Sequence, residues 1–179
     1  VSSEDELDQP RLHHAEQAEL ERRFAEKLAS RGLHIRRMAE DGNCLFRSVS
    51  DRVYGDAEMH DVVRRLCLDH IERERDHFSQ YVTQDFAAYV ARKRRDAAFG
   101  NHLEIQALSE IYNRPVQVFD VRGDGETPMN AFAASTEGEG GAPLRLSYHG
   151  RSHYNVIVDP QKADVGEGLG VPGLHPGLA

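Results

Sequence analysis

Residues 41–47 read Asp-Gly-Asn-Cys-Leu-Phe-Arg, and the interpretation of the whole chain starts from this stretch. Its first three residues form turns readily, and apolar side chains then recur every four positions, which predicts a helix beginning at Cys44. A cysteine in the first turn of a helix meets the positive end of the helix dipole and free N–H groups, which favour the thiolate. The N–H groups of Gly42, Asn43 and Cys44 can converge on one point, as an oxyanion hole requires. The stretch therefore predicts a nucleophilic cysteine beside an oxyanion hole.

A catalytic thiolate needs a base, and the sequence offers His153 at the head of the last predicted strand. Because side chains alternate along a strand, His153 and Asn155 share a face. An amide in that position can hold an imidazole in the correct tautomer, as in Cys-His-Asn catalytic sets. We therefore expect Cys44, His153 and Asn155 to meet through the fold.

Other cysteines and histidines fit simpler roles. A lone cysteine in a helix is usually a small buried hydrophobe, and Cys67, between two leucines, fits that description. His149 and His153 have a spacing that suits a metal only on a helix, whereas their context is strand and turn. The sequence has no CxxC and no HExxH motif. We expect no metal and no cofactor.

The order of the predicted elements indicates an α+β fold, because helices come first and strands last. A short extended segment is expected at 33–35. The loop between the first two long strands, residues 123–141, is rich in glycine and acids and is expected to be long and mobile. The predicted helices span 11–31, 44–54, 57–71, 83–96 and 102–112, and the predicted strands span 116–121, 144–148 and 154–158.

Size and charge bound the possible functions. The chain has 179 residues and a net charge of −8, which disfavours a general nucleic-acid binder. No stretch approaches the roughly 20 apolar residues of a membrane span, and the acidic start does not look like a signal peptide. Two cysteines make no disulfide framework, so we expect the cytoplasm or nucleus as location. The absence of an initiator Met suggests a fragment of a longer chain.

Three stretches resemble one known family. Residues 41–47 resemble the nucleophile motif of the ovarian-tumour (OTU) cysteine proteases, residues 100–109 the central helix motif, and residues 153–155 the histidine motif. They occur in family order and cover about residues 33–159. Residues 53–56, 112–116 and 166–177 resemble more particularly the DUBA-like branch. One departure is Phe99, which stands where many members have Trp before the glycine of the central motif.

The resemblance implies a papain-like α+β domain, with a small central sheet between helical layers. It implies a deubiquitinase that hydrolyses isopeptide bonds at the C-terminus of ubiquitin, with Cys44 as nucleophile and His153 as general base. Asp41 would be the acidic member of the motif, ordering the loop before Cys44. The implied domains are an acidic flexible arm at 1–9, an OTU catalytic domain at 10–160 and a Gly/Pro-rich tail at 161–179.

The implied partners are ubiquitin, polyubiquitin chains and ubiquitylated proteins. The arginines near the ubiquitin C-terminus are expected to meet acidic side chains, for which the candidates are Glu104, Glu126, Glu137 and Glu139. Two alternatives stay open: a ubiquitin-binding module with suppressed activity, and a protease of a ubiquitin-like modifier. Nucleic-acid binding through residues 92–95 conflicts with the net charge.

A regulatory switch is also predicted near the start of the chain. Ser3 precedes three acidic residues, a context favoured by acidic-directed kinases. A phosphate there would add about −1.5 to −2 charge and three acceptor oxygens. The basic cluster at a helix end is a receiver for such a group, and it comprises Arg92, Lys93, Arg94 and Arg95. We expect phosphorylation to pin the arm and activate the enzyme.

Overall fold

The computed structural model describes residues 4–134, 140–150 and 152–162, with side chains from residue 13 onward. Within these residues it contains helices and one mixed sheet. The helices are α1 (Glu4–Ala29), α2 (Cys44–Tyr54), α3 (His60–Arg73), α4 (Arg75–Phe78), α5 (Phe86–Lys93) and α6 (His102–Tyr112). The strands are β1 (His34–Arg36), β2 (Val116–Asp120), β3 (Asn130–Phe132), β4 (Leu144–His149) and β5 (His153–Val158).

The sheet has the strand order β1-β5-β4-β2-β3. The β2–β4 pair is parallel, whereas β1–β5, β4–β5 and β2–β3 are antiparallel. The β4–β5 register places Ser147 opposite Asn155 and His149 opposite His153. Because paired residues point to the same side of a sheet, these four side chains share one face. The sheet therefore gathers polar residues at the start of β5, where a catalytic histidine was predicted.

Helices cover both faces of the sheet. On one face, Phe24 and Leu28 of α1 pack against Phe119, Val121 and Ile157 in a small buried cluster. On the other face, apolar side chains from β2, β4 and β5 join those of α2, α3, α5 and α6 in a larger core. Burying each apolar face against helices removes it from water, which is the main driving force for folding. The predicted arrangement, a small sheet between helical layers, is confirmed.

The first helix begins earlier than the sequence indicated. Residues 4–9, expected to belong to a flexible arm, lie within α1, which begins at Glu4. Acidic residues are as compatible with the positive end of a helix dipole as with a solvated arm, so composition alone could not separate the two. The segment predicted as one helix at 57–71 is a 3-10 turn at 57–59 followed by α3. The predicted helix at 83–96 is shorter, because α5 ends at Lys93.

The loop between β2 and β4 is more ordered than expected. Within residues 123–141 it contains strand β3, which pairs with β2. Its first part lies on α1, where Lys27 Nζ donates to the Gly123 carbonyl at 3.1 Å and Arg31 donates to the Gly125 carbonyl. The expectation of a mobile loop is therefore wrong for residues 123–134, and residues 135–139 lie outside the described ones. Strand β3 has three residues, which are too few to give an alternating pattern that can be recognised in the sequence.

Two other predictions concern the C-terminal tail and membrane-spanning segments. The predicted tail at 161–179 lies outside the described residues from 163 onward. In the part of the chain that the structure describes, no helix is long and apolar enough to cross a bilayer.

Candidate active site

The fold brings Cys44 directly against the start of β5. The Tyr154 N–H donates to Cys44 Sγ at 3.4 Å, and the thiol lies 3.9 Å from the Ser152 carbonyl oxygen, to which it donates. Tyr154 stands between His153 and Asn155 in the sequence. The structure therefore brings together, at one point, the nucleophile and the histidine motif that the sequence placed far apart.

The loop before Cys44, residues 41–44, which we call the nucleophile loop, requires a glycine at position 42. Gly42 has φ +79°, a left-handed conformation that side chains with a Cβ rarely adopt. A Cβ there would also lie 2.2 Å from the Ala97 carbonyl oxygen. Both the backbone angle and the neighbouring backbone thus exclude a side chain. The segment before α6 thereby sets the course of the nucleophile loop.

Asp41 orders this loop from within. Its carboxylate accepts from the Asn43 N–H at 3.0 Å and from Nε and Nη2 of Arg47 at 2.9 and 2.6 Å. The Arg47 guanidinium is the main cause that lowers the pKa of Asp41 to about 2. Asp41 therefore stays ionised and acts on the loop, which fits the loop-ordering role that the resemblance implied.

Asn43 is held by a buried arginine that the sequence analysis did not single out. Its Oδ1 accepts from Arg64 Nη2 at 2.7 Å and from the Ala97 N–H at 2.9 Å, while its Nδ2 donates to Asp96 at 3.1 Å. Arg64 Nη1 also donates to the carbonyls of Lys93 and Ala98, both at 2.8 Å. The arginine is only 4% exposed. One buried guanidinium therefore fixes the nucleophile loop to the segment that follows α5.

The oxyanion hole was predicted from the N–H groups of Gly42, Asn43 and Cys44. The Asn43 N–H is already engaged by the Asp41 carboxylate. The N–H groups of Cys44 and Leu45 lie close enough to the sulfur to lower the pKa of the thiol. These N–H groups belong to the first turn of α2, where helix geometry leaves them without intrahelical partners. The oxyanion hole stays a prediction, and α2 supplies the donors best placed for it.

Burial dominates the electrostatics of the nucleophile. Cys44 is 1% exposed, and desolvation raises the pKa of its thiol, whereas the Tyr154 N–H acts in the opposite direction. The helix start that was expected to favour the thiolate is therefore outweighed by loss of water. A proton acceptor close to the sulfur is needed for reactivity near neutral pH.

His153 is the residue that the sequence predicts as this acceptor, and Asn155 contacts its ring. His153 Nε2 lies 2.9 Å from Asn155 Oδ1. The same oxygen accepts from the Met38 N–H at 2.7 Å, which fixes which end of the amide faces the histidine. Because Nε2 is used by Asn155, Nδ1 is the histidine nitrogen left to exchange a proton with the thiol. Among the described residues, the sulfur bonds to backbone groups of β5 and its preceding turn and not to the His153 ring.

A groove of about 300 Å³ lies next to the segment whose backbone contacts the sulfur. Its lining includes Ser152 and Tyr154, which contact Cys44, together with Phe99 and Tyr148. The rings of Phe99 and Tyr154 stack with centroids 5.5 Å apart and planes 9° from parallel. Phe99, the departure from the family motif, thus fills an aromatic position against β5. The two stacked rings therefore form one aromatic side of the groove.

The predicted regulatory residues are distributed differently from expectation. Within the basic cluster, Lys93 donates to the Phe99 carbonyl at 2.6 Å and pairs with Glu104 at 3.4 Å. Arg94 pairs with Asp69 at 2.8 Å and with Glu72 at 2.6 Å. Arg92 and Arg95 are exposed, and Ser3 lies outside the described residues. The Arg92 guanidinium also lies over the Tyr89 ring, 5.5 Å from its centroid, so three of the four have internal contacts.

The acidic residues predicted to contact ubiquitin differ in their exposure to solvent. Glu104 is fully buried and accepts from the Tyr89 hydroxyl at 2.7 Å, so the expectation that it meets an external peptide is wrong. Its position on the inner face of α6, opposite Lys93, explains this. Glu126 is exposed, and Glu137 and Glu139 lie outside the described residues. Among the described residues, no cluster of three His, Cys, Asp or Glu side chains is placed to hold a metal ion.

Sequence analysis missed the supporting residues. Arg64 lies three residues before Cys67 and four before Leu68, so it falls on the apolar face of α3, and a charge there is a usable signal. His149 was weighed only as a metal ligand. Its side chain donates or accepts toward Glu21, Ser147 and Asn155. That role requires the β4–β5 register and the docking of α1, which no local pattern encodes.

Comparison with known proteins agrees with this architecture. A profile of the family described as OTU-like cysteine protease matches residues 39–155. The chain is 51% identical over 150 residues to an ovarian tumor domain-containing deubiquitinating enzyme 6 of Arabidopsis thaliana, covering 84% of this chain and 29% of the relative. It is 48% identical over 167 residues to OTU domain-containing protein 5-A of Xenopus laevis, covering 92% of this chain and 31% of the relative. The chain therefore spans about a third of the length of these relatives or less.

Solved structures show the same fold. The OTU domain of OTUD1 superimposes with a TM-score of 0.67 at 25% identity, covering 80% of this chain and 95% of that chain. The Hazara virus OTU bound to ubiquitin superimposes with a TM-score of 0.55 at 18% identity, covering 70% of this chain and 80% of that chain. The motif order, the sheet that presents His153 to Cys44 and the profile match lead to one conclusion: this chain belongs to the OTU-like cysteine protease family.

Proposed function

We propose that this chain is a deubiquitinase that hydrolyses the isopeptide bond between the ubiquitin C-terminus and a lysine. One observation carries the proposal: Cys44 Sγ accepts a hydrogen bond from Tyr154, the residue between His153 and its orienting partner Asn155. A buried thiol beside an oriented imidazole is the arrangement required for thiol-dependent acyl transfer. Relatives named as deubiquitinating enzymes and OTU structures with bound ubiquitin support ubiquitin as the substrate.

The reaction follows from the hydrogen bonds of the site. His153 Nδ1 takes the thiol proton while Sγ attacks the carbonyl carbon of the terminal glycine of ubiquitin. The developing oxyanion is stabilised by N–H groups at the start of α2. Collapse breaks the C–N bond, and the histidine returns the proton to the leaving lysine amine. Water, deprotonated by the same histidine, then attacks the thioester, releasing the ubiquitin carboxylate and restoring the thiol.

Burial of the nucleophile supports selection for the Gly-Gly end of ubiquitin. Cys44 is only 1% exposed, so a substrate carbonyl can reach the sulfur only as part of a narrow, extended segment. Glycine residues occupy less width than any others, so they suit this approach better than residues with side chains. Of the acidic residues predicted for this contact, Glu126 is exposed among the described residues and is the candidate partner for the arginines preceding that pair. A reducing compartment, the cytoplasm or nucleus, suits a thiol enzyme with two free cysteines.

The test is a panel of diubiquitins of every linkage, together with ubiquitin-like modifiers fused to a fluorogenic leaving group. A deubiquitinase cleaves ubiquitin substrates and leaves other modifiers intact. Cleavage of a ubiquitin-like modifier alone would establish the rival protease. Tight binding of ubiquitin without turnover of any substrate would establish the binding module with suppressed activity. The linkage profile also identifies the preferred polyubiquitin chain.

We further propose that phosphorylation of Ser3 activates the domain. Support comes from the exposure of Arg92 and Arg95, which leaves them accessible to a dianionic phosphate. Lys93 and Arg94 hold internal ion pairs, so the structure suggests a cleaner test than reversal of the whole cluster. Unmodified, phosphorylated and Ser3→Ala proteins are compared on ubiquitin chains. Equal rates for the first two would refute the switch.

The same comparison in an Arg92→Glu/Arg95→Glu background identifies the receiver. If these two arginines bind the phosphate, activation by phosphorylation disappears while the rate of the unmodified protein is kept. Activation that survives the charge reversal would reject them as receiver and keep the switch. Because Lys93 and Arg94 are untouched, a loss cannot come from breaking their pairs with Glu104, Asp69 or Glu72.

A further inference from the structure

A line of hydrogen bonds runs from α1 into the catalytic residues. Glu21 Oε1 lies 3.1 Å from His149 Nδ1. His149 Nε2 lies 3.1 Å from Asn155 Nδ2, and Asn155 Oδ1 lies 2.9 Å from His153 Nε2. The four residues come from α1, β4 and β5, so a helix at the start of the chain contacts the catalytic histidine through two intermediates.

The inner members of this line are shielded from water. His149 and Asn155 are each 6% exposed, and Ser147, whose Oγ lies 2.7 Å from His149 Nε2, is fully buried. The β4–β5 register places all of them on the sheet face that α1 covers. Buried polar groups are costly unless they are paired. This network is therefore a built feature of the site.

One arrangement of donors and acceptors satisfies all the contacts of this line. A carboxylate only accepts, so His149 Nδ1 carries the proton and donates to Glu21. The neutral ring then has one lone pair at Nε2, which the Ser147 hydroxyl at 2.7 Å and the Asn155 amide nitrogen at 3.1 Å share. This turns Asn155 Oδ1 toward His153, whose Nε2 donates to it. Burial lowers the pKa of His149, which keeps that ring neutral as the arrangement requires.

We propose that Glu21 and His149 are positioning residues that hold the Asn155 amide in the orientation needed by His153. Neither touches the substrate, and both act through Asn155. The proposal rests on the proposed thiol chemistry of the same site. It makes α1 a functional part of the active site, because docking of α1 places Glu21 against β4.

The reverse orientation of Asn155 would aim its NH₂ group at His153 Nε2, which would then have to accept. The proton would move to Nδ1, the nitrogen that has to receive the proton of Cys44. The Met38 N–H, 2.7 Å from Asn155 Oδ1, opposes the same reversal from the other side. Because that bond remains when His149 is changed, we expect a partial and not a complete loss of activity.

The test is a double-mutant cycle measured with ubiquitin carrying a fluorogenic C-terminal amide. His149→Phe removes the acceptor, and we expect kcat to fall about 10-fold with little change in KM. Glu21 is half-exposed on α1, so we expect the Glu21→Ala protein to fold. This substitution should lower kcat about 3-fold. His149→Gln restores an acceptor near the Nε2 position and should recover most of the rate.

The decisive experiment repeats these substitutions in an Asn155→Ala background. Because His149 and Glu21 act only through Asn155, their substitution there should lower kcat less than about 2-fold further. An equal loss in both backgrounds would overturn the proposal, since it would show an effect that bypasses Asn155. The matched control is His70, whose Nε2 lies 2.9 Å from Glu110 away from the catalytic residues. A loss of kcat on His70→Phe as large as that on His149→Phe would also overturn it.

A second readout separates this proposal from the proposed function. The rate of Cys44 alkylation by iodoacetamide reports thiolate formation without ubiquitin. We expect it to fall in the same variants and to show the same dependence on Asn155. If the pattern appears while the wild type cleaves no ubiquitin substrate, the proposed function fails and the positioning role stands. If the wild type cleaves ubiquitin and neither readout shows the pattern, the positioning role fails.

Discussion

The nucleophile loop and the strand β5 meet at Cys44, but different kinds of contact hold them. The loop is fixed by a left-handed glycine against the Ala97 carbonyl and by Arg64, which binds the Asn43 side chain and two backbone carbonyls. Strand β5 is fixed by ladder hydrogen bonds to β4 and β1, which do not depend on side chains. Its polar side chains are free to serve the orientation of His153.

This difference has a consequence for substitutions. Changes to the residues that hold the nucleophile loop remove contacts on which the local backbone depends, so stability and activity should fall together. Changes to the polar side chains of β5 leave the ladder intact, so activity should fall by much more than stability does. Four predictions, in order of decreasing effect on activity, test this division.

The largest effect is expected for the two reacting residues. Cys44→Ala and His153→Ala should each lower turnover by at least about 1000-fold, and the double variant should lose little more, because residues acting as a unit are non-additive. The measurement is kcat on a ubiquitin C-terminal amide. Cys67→Ala is the matched control: that thiol is fully buried and donates to the Glu104 carbonyl at 3.5 Å. It should keep turnover, and a reversed outcome would move the nucleophile to Cys67.

The next effect concerns Asn155 on β5. Asn155→Ala should lower kcat on the order of 10- to 1000-fold, because it orients the imidazole and takes no part in bond making. The thermal unfolding midpoint should fall by less than in Arg64→Met, because the ladder of β5 is kept although the Met38 N–H and the two histidines lose a partner. A wild-type rate would contradict the role of Asn155. A rate loss matched by unfolding would contradict the separation of chemistry from stability in this region.

A smaller effect on rate, but a large one on stability, is expected at Arg64. Arg64→Met leaves the Lys93 and Ala98 carbonyls without this donor and removes one of the two donors to Asn43 Oδ1. We expect a loss of about 2–4 kcal/mol in the free energy of unfolding. Turnover should fall together with stability because the nucleophile loop loosens. Arg65→Met, an exposed neighbour on α3, should change both within error. Equal effects of the two substitutions would refute the anchoring role.

The smallest effect at neutral pH is expected from Asp41, through acid stability. Its pKa is lowered from the usual 3.8 to about 2 by Arg47. A carboxyl with a lowered folded pKa stabilises the protein above its unfolded pKa, and that contribution is lost as the pH falls through 4 toward 2. The wild type should therefore lose its stability advantage over Asp41→Asn in this window, as measured by urea unfolding. If the stability difference between the wild type and Asp41→Asn does not depend on pH, the Asp41–Arg47 pair is not coupled to protonation of Asp41.

Much of this could be predicted from the sequence, for a physical reason. The nucleophile loop is encoded in consecutive residues, since turn chemistry at 41–43 and the helix start at Cys44 are local properties. The helix at 102–112 and the strand carrying His153 were likewise visible from apolar periodicity. Pairing of His153 with Asn155 needs only strand alternation, and the structure shows it at 2.9 Å.

What could not be predicted depends on register and docking. Glu21 reaches His149 only because α1 lies across the sheet, and His149 reaches Asn155 only because β4 and β5 pair with one register. Lys93 and Arg94, interpreted from the sequence as part of a phosphate receiver, find acidic partners on α6 and α3. The sequence does not show which charged residues pair in space. Lys93 and Glu104 were therefore predicted to contact external groups, whereas they pair with each other inside the protein.

The most direct test of the account is covalent labelling of the chain by ubiquitin with an electrophile at its C-terminus, followed by peptide mass spectrometry. Labelling requires both recognition of ubiquitin and a reactive thiol held beside His153. We predict one adduct per chain, located on Cys44, that is lost in His153→Ala and kept in Cys67→Ala. An adduct on Cys67 would contradict the account, and so would labelling of Cys44 by the ubiquitin electrophile that persists in the His153→Ala protein.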